Sequence, residues 1–323
     1  MKEIQNNKFT LIGFQKWNKW HSFILLAFSK KMSVAVFLAV TASFAFACMQ
    51  VLTKVVQAYV NFEMVLFFRF SVALIILLPL ICISEGISVL KTNAPYLHFF
   101  RAVTGFFALT FMVAALKFIP VTEAMLLNIT YPLFTPLLLF MFWGTPISIK
   151  LLVGLVIGFM GVILILHPDS SYLLEPGSLF ALASGLMTAL AMQLTKMLSV
   201  SESNKTIGFY LFGFSTLVSV ELAFFNWQTP SFTALFLLIG IGITGLIYQQ
   251  LLSYVIKITN SNFASAFMYT SVIFGSLFSW WLWEKIPTIY TYGGFIMILF
   301  GSLIVLNNCS NFKNIKKRDN NEK

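Results

Sequence analysis

The chain has 323 residues, of which 59% are hydrophobic and only 10% are charged. That balance excludes a water-soluble globular domain, whose surface needs more charge, and predicts an integral membrane protein. The net charge of +10 would suit a nucleic-acid partner, but the basic residues lie in the tails and at the ends of apolar segments, so we expect none.

The first predicted element is a basic segment, residues 1–32. Its first 31 residues hold six lysines together with Trp17 and Trp20, and no small-residue cleavage site follows its short apolar patch. This is a poor signal peptide. The segment is predicted either as an interfacial helix on the anionic cytoplasmic leaflet or as a disordered tail.

Ten apolar runs follow, each close to the length of about 20 residues that crosses a bilayer. We therefore predict an all-α membrane protein with ten transmembrane helices. The predicted spans are residues 33–53, 64–83, 98–116, 121–143, 150–167, 177–198, 207–226, 233–255, 263–283 and 288–307. Residues 308–323 form a basic cytoplasmic tail, and the polar stretch from Asn311 onward is predicted to be disordered.

The second half of the chain repeats the first at an offset of 140 residues. Matched glycines, lysines and tryptophans are rare enough in an apolar chain to carry this conclusion. The pairs include Thr104 with Thr244, Gly105 with Gly245, Lys117 with Lys257, Trp143 with Trp283, Gly154 with Gly294 and Gly161 with Gly301. Residues 33–167 and 177–307 are therefore predicted to be two five-helix repeats. An odd number of spans per repeat makes the repeats inverted, which provides a route to alternating access.

The distribution of lysine and arginine predicts the orientation. With the N-terminus inside, 17 fall inside, three outside and one, Arg69, within a span. By the positive-inside rule both termini are cytoplasmic, as expected for a multi-pass protein of a bacterial inner membrane. In this count Arg101 belongs to the inner end of the third span.

Two stretches resemble the drug/metabolite transporters of the EamA type. They are the run from Phe62 to Phe70, and the run from Ala114 to Ala124 followed by Tyr131 to Phe134. The resemblance covers residues 33–307 and implies a ten-helix inverted-repeat carrier whose fourth and ninth helices line a central cavity. The sequence departs from the pattern at Thr145, where an acidic residue is usual, and at Val272, where the first half has Pro132.

Ionisable side chains inside a span are costly, at about 2.5 to 3.5 kcal/mol, and should face a cavity or a partner. Arg69 lies about 8 Å into the second span, from a rise of about 1.5 Å per residue, and is a candidate to bind a carboxylate or phosphate in a bidentate fork. The alternative is a snorkelling or backbone-capping arginine. Glu221 in the seventh span, and then Glu63, are the candidate proton-coupling residues, with solvated helix-end acids as the alternative.

Uncharged polar and aromatic residues complete the candidate site. Each one is as well explained by bonds between helices or, for the tryptophan, by an interfacial belt. As a set they mark the helices expected to line the cavity, and with Arg69 they form our predicted substrate site: Asn128, Tyr131, Gln193, Gln249, Tyr269 and Trp280.

No cofactor, metal or catalytic centre is predicted. Three cysteines and three histidines are scattered without ligand spacing, and the short loops leave no room for an extramembrane catalytic domain. The chain is predicted to be a secondary transporter of a small polar metabolite rather than an enzyme. A scaffold or an intramembrane enzyme is the alternative.

The run from Phe67 to Phe70 resembles bacterial S-adenosylmethionine carriers most, with amino-acid-like solutes as other candidates. The sequence leaves coupling ion, direction and a homodimeric state open.

Overall fold

A computed structural model describes residues 30–143, 149–165, 175–259, 261–284 and 288–319. Within these ranges the chain is helical and has no β-strand. We number the helices in chain order: α1 Lys30–Val56, α2 Phe62–Ser84, α3 Pro95–Phe118, α4 Val121–Asn128, α5 Tyr131–Trp143, α6 Ile149–Ile165, α7 Pro176–Leu198, α8 Asn204–Phe225, α9 Phe232–Ile258, α10 Ser261–Met268, α11 Thr270–Trp283 and α12 Ile289–Asp319. A short 3-10 turn, Ile87–Leu90, connects α2 to α3.

Seven apolar segments of this described part are long enough to cross a bilayer, and two shorter apolar helices accompany them, Leu152–Leu164 and Ile289–Ile304. The predicted fourth span, 121–143, does not form one continuous helix, since α4 and α5 divide it. The predicted ninth span is divided in the same way between α10 and α11. The structure is therefore that of a multi-pass, all-helical membrane protein.

The two helix breaks lie 140 residues apart and share one hydrogen bond, from the hydroxyl of Thr130 or its counterpart Thr270 to a carbonyl at the end of the preceding helix. In the first half, Pro132 has no amide hydrogen, so it cannot donate to the Asn128 carbonyl and α4 ends there. The second half has Val272 at the corresponding position, yet the helix still breaks at Tyr269. There the hydroxyls of Thr270 and Ser271 hydrogen-bond the carbonyls at the end of α10. Local side chains thus compensate for the absence of proline.

Contacts between helices of the two halves occur in matched pairs. α3 packs on α7 and α9 packs on α1; α3 also packs on α8 and α9 on α2. Replacing each helix of one contact by its counterpart in the other half gives the second contact of the same pair; α3 with α7 thus corresponds to α9 with α1. Two further large contacts, α6 with α12 and α2 with α8, each join a helix to its own counterpart in the other half.

A glycine seam joins α6 and α12, formed by Gly154, Gly158 and Gly161 of α6 with Gly294 and Gly301 of α12. A Cβ on Gly161 would lie 2.7 Å from the Gly294 carbonyl oxygen, and one on Gly301 would lie 2.6 Å from that of Gly154. These backbones touch without intervening side chains, as small residues allow at helix interfaces in membranes. The seam agrees with the expectation that these repeated glycines serve close packing.

The disordered tail predicted from Asn311 onward is wrong up to Asp319, because α12 continues through it to that residue. A helix that has already formed extends without a new nucleation cost. Lysines near its carboxyl end also favour the negative end of the helix dipole. The predicted interfacial helix before Lys30, and residues 320–323, lie outside the described residues.

Candidate substrate site

A small cavity of about 40 Å³, with apolar and polar walls, lies between α3, α7, α8 and α9. We call it the central cavity. Polar side chains line it, namely Arg101, Thr188, Thr195, Tyr248, Gln249 and Ser253. A cavity with polar side chains within an apolar helix bundle is the arrangement expected of a binding site for a hydrophilic solute.

Arg101 is the charged group of this cavity. Its side chain is 5% exposed, and its Nε donates to the Thr195 hydroxyl. Its Nη1 has no hydrogen-bond partner. Gly105, one turn further along α3, leaves the space that the guanidinium occupies, because a Cβ there would overlap Nη1 and lie 2.7 Å from a methyl carbon of Leu211.

Arg69 of α2 is buried as well, at 2% exposure, and its Nη1 also lacks a partner. The phenol of Tyr248 interacts electrostatically with both Arg69 and Arg101. Among the residues that the structure describes, neither arginine forms an ion pair with a carboxylate. Two buried positive charges therefore meet at one tyrosine without an acidic partner.

The helix breaks bring two predicted tyrosines toward the same region. Tyr131 and Tyr269 are both buried and interact electrostatically with each other, and Tyr131 also interacts with Tyr248. The Tyr131 hydroxyl lies near Ser265 and that of Tyr269 near Ser302. The breaks thus place one tyrosine of each half beside the centre of the bundle.

The predicted amides differ in their surroundings. Asn128 is buried, and its Nδ2 donates to Ser184 at 2.8 Å and to Thr188 at 3.4 Å. Its amide therefore links α4 to α7. Gln249 lines the central cavity and donates to Ser253 at 3.0 Å. Gln193 is half-buried on α7.

Three predicted residues lie elsewhere. Trp280 is 58% exposed and lines a separate, largely apolar pocket of about 350 Å³ between α4, α11 and α12. Glu221 is exposed on α8, and Glu63 is half-buried in the first turn of α2. None of the three lines the central cavity.

Sequence reasoning missed Arg101, Tyr248 and Thr195. Arg101 was counted as a charge at a span end, although it falls within the predicted span 98–116. Its position three residues inside that span, with a glycine four residues later, was the available signal. Tyr248 offered no signal in a chain with ten tyrosines.

On the side predicted to be cytoplasmic, an inner cluster closes the bundle, formed by Thr92, His98, Glu202 and Lys257. The Thr92 hydroxyl donates to Glu202 Oε1 at 2.6 Å, and His98 Nε2 lies 3.7 Å from the same oxygen. The Lys257 ammonium donates to the Glu202 carbonyl at 3.2 Å. These contacts join the connection after α2, the connection between α7 and α8, and helices α3 and α9.

A neighbouring ion pair joins Lys205 Nζ to Glu85 Oε1 at 3.0 Å. Hydrogen bonding from Lys205 lowers the pKa of the Glu85 carboxyl, with a further contribution from the Ser203 hydroxyl. Both side chains are about one-third exposed. The pair therefore fastens the end of α2 to the start of α8 only weakly.

At the opposite end of the bundle, polar side chains hold α1 against the end of α3. The Lys54 ammonium donates to the carbonyls of Leu116 and Ile119, and Gln57 Nε2 donates to that of Val113 at 2.6 Å. A cation at these last carbonyls complements the helix dipole. Lys117, the repeat counterpart of Lys257, lies over the Phe62 ring at 5.4 Å.

No group of three or more histidines, cysteines or acidic residues that could hold a metal ion occurs among the described residues.

The sequence profile of the EamA-like transporter family matches residues 33–167 and again 175–307. The chain belongs to this family. The resemblance drawn from the motifs around Phe62 and Ala114 is thereby confirmed. The protein is a membrane transporter, whose ligand is a small molecule and whose surroundings are a lipid bilayer.

The similar proteins are named as transporters of different molecules. The chain is 26% identical over 246 residues to an S-adenosylmethionine uptake transporter of Rickettsia bellii, a match that covers 76% of this chain and 84% of the relative. It is 26% identical over 265 residues to the pseudopaline exporter CntI of Pseudomonas aeruginosa, covering 82% and 93%. It is also 26% identical over 274 residues to a riboflavin transporter of Rhizobium johnstonii, covering 83% and 89%.

One crystal structure superposes with a TM-score of 0.59 at 17% identity, over 84% of this chain and 96% of that chain. At this identity the likeness concerns the fold alone.

Proposed function

We propose that the protein is a secondary transporter that moves a small polar metabolite across the bacterial inner membrane by alternating access. The observation that carries the proposal is the central cavity, where Arg101 and Tyr248 from different halves meet beside Arg69 without an acidic partner. A scaffold has no need of buried polar groups that lack partners. An enzyme would need an acid, a base or a nucleophile converging on the cavity.

The proposed architecture is ten spans in two inverted five-helix repeats, with α4 and α5 forming the fourth span and α10 and α11 the ninth. The 140-residue offset supports it, as do the helix contacts that exchange between the halves. Two repeats related by a two-fold axis in the membrane plane would produce such an exchange. Each repeat can then adopt in one state what the other adopts in the next.

Alternating access needs a closure at each end of the bundle, and two sets of polar contacts are candidates. The inner cluster around Glu202 joins α3 and α9 to the connection between α7 and α8 at one end. Lys54 and Gln57 join α1 to α3 at the other. Both sets are built from few hydrogen bonds, so either can open at modest cost.

For the substrate we propose S-adenosylmethionine or an amino-acid-like solute. The relatives include an uptake transporter for S-adenosylmethionine, an exporter of pseudopaline and a riboflavin transporter. Because these names differ in direction, we propose no direction of transport for this chain. The proposed binding residues remain Arg69, Asn128, Tyr131, Gln193, Gln249, Tyr269 and Trp280. Of these residues Gln249 lines the central cavity itself, whereas Trp280 would act only through its separate pocket.

Proton coupling is proposed at Glu221, with Glu63 as the second candidate. A Glu221→Gln protein that still concentrates substrate in response to a proton gradient would exclude this role for Glu221. Both termini are proposed to be cytoplasmic, from the excess of lysine and arginine on that side.

The test is uptake of radiolabelled S-adenosylmethionine into proteoliposomes, with and without a proton gradient and with unlabelled amino acids and nucleosides as competitors. We expect saturable uptake that Arg69→Lys abolishes, because an ammonium cannot replace a bidentate fork. Lys150→Gln, which removes an exposed cation at the start of α6, is the matched control. Full activity of Arg69→Lys would reject the fork, and uptake of no tested solute would count against this substrate class.

A further inference from the structure

Arg101 is a second buried cation that the predicted site did not include, and it lines the central cavity directly, whereas Arg69 does not. From its surroundings we infer that Arg101 anchors an oxyanion of the transported solute, a carboxylate or a phosphate. This inference rests on the proposed transport function and specifies the class of substrate.

The first argument is the incomplete bonding of the guanidinium. A guanidinium has five N–H donors. At Arg101 Nε is bonded to the Thr195 hydroxyl, whereas Nη1 is buried and has no partner. A buried charge without a counter-charge is costly, and no carboxylate pairs with it within the described ranges. The missing partner is therefore expected to come from the ligand.

The second argument is that the surrounding structure makes room for the charge. Gly105 leaves the volume that Nη1 occupies, and a Cβ at that position would overlap it. The guanidinium is thus held along α3 with its free edge at the cavity. A snorkelling arginine would instead extend toward the nearer membrane surface.

The third argument is the charge of the region as a whole. Arg69 adds a second buried positive charge, which also interacts electrostatically with Tyr248. The Gln249 amide and the Ser253 hydroxyl line the same cavity and can donate hydrogen bonds to an anion. Such a site favours solutes with an anionic group and disfavours purely cationic ones.

Binding of small anions tests this inference without knowledge of the substrate. The melting midpoint of the purified full-length protein in detergent would be measured in sodium acetate and in sodium phosphate, against sodium chloride at equal ionic strength. We expect acetate, phosphate or both to raise the midpoint, by ~2–4 °C at about five times the dissociation constant. The anion with the larger effect identifies the oxyanion class.

Three variants decide whether the effect arises at Arg101. Arg101→Gln should lose the anion effect and, in chloride, should melt no lower than wild type, because the uncompensated charge is gone. Arg101→Lys should retain part of the effect, and Lys150→Gln all of it. An Arg101→Gln protein that melts lower in chloride but keeps the full anion effect would overturn the inference in favour of a structural arginine. The same holds if neither anion stabilises the wild type more than chloride does.

A second arm tests the transported solute. In the proteoliposome assay, S-adenosylmethionine should compete at least tenfold more strongly than its decarboxylated analogue, and Arg101→Gln should remove this difference. Equal competition by the two would overturn the inference while leaving transport intact. Absence of transport together with a stabilising anion effect would count against the proposed function and leave the anion site standing.

Discussion

Replacing Gly105 by alanine should weaken substrate binding far more than the same change at its repeat counterpart, Gly245. At Gly105 the new methyl group would overlap the Arg101 guanidinium and lie 2.7 Å from Leu211 Cδ1. At Gly245 the nearest atom would be the sulfur of Met49, at 3.2 Å, on a flexible side chain that can adjust. The pair therefore compares one chemical change in two environments.

The magnitude follows from what Arg101 must give up. To make room for the methyl group, the guanidinium must leave its bond to Thr195 and its place at the cavity. A hydrogen bond to a charged group contributes about 1.5 to 3 kcal/mol, so ligand affinity should fall by about 10- to 150-fold. Overpacking costs about 1 to 3 kcal/mol, and the higher helix propensity of alanine offsets about 1 kcal/mol of it. These two terms leave a cost of at most about 2 kcal/mol, and the lost bond to Thr195 adds to it, so the melting midpoint should also fall.

The assay is the apparent affinity in the proteoliposome uptake experiment, together with the acetate and phosphate titration of the melting midpoint. We expect Gly105→Ala to raise KM and to weaken the anion effect, and Gly245→Ala to change both by less than threefold. Equal losses in the two variants would show that close helix packing, rather than the position of Arg101, explains the glycine. No loss in either would refute the proposed position of the guanidinium.

Three further results are expected. The lowered pKa of Glu85 means that its pair with Lys205 stabilises the fold at neutral pH and loses this effect as the pH falls through the folded-state pKa. Glu85→Gln should thus lower the free energy of unfolding at pH 7 by at most about 1 kcal/mol, and the difference from wild type should close below that pKa, or else the pair contributes nothing. Glu284 has a φ of 53° at the end of α11, so Glu284→Gly should raise the free energy of unfolding by up to about 1 kcal/mol, and a lower value would contradict the assigned conformation. Asn128→Ala should lower stability by about 1 kcal/mol through the lost bond to Ser184; a raised KM with unchanged melting would instead assign the amide to the substrate.

The sequence predicted the membrane class, the family and the position of Arg69 because each depends on local composition or on short motifs. It did not predict the burial of Arg101. That burial depends on Gly105 of the same helix, on Leu211 of α8 and on Thr195 of α7, which the chain brings together only in three dimensions.

The helix breaks show the same limit of prediction from sequence. Spans 121–143 and 263–283 are predicted as continuous from the sequence, although Pro132 was an available signal for the first break. The second break depends on two hydroxyl groups that bond to neighbouring carbonyls, and serine and threonine do so in helices that remain unbroken as well. Polarity likewise suggested disorder after Asn311, although the preceding span carries the helix onward to Asp319.

The glycine seam has a mechanical consequence. Where backbone lies against backbone, no side chain can change rotamer to absorb a displacement, so α6 and α12 either move together or separate altogether. These helices belong to opposite halves of the sequence, as do α3 with α7 and α9 with α1. The rigid bodies of a transport cycle would then each draw helices from both repeats. The rigid bodies of the proposed cycle therefore would not coincide with the two sequence repeats.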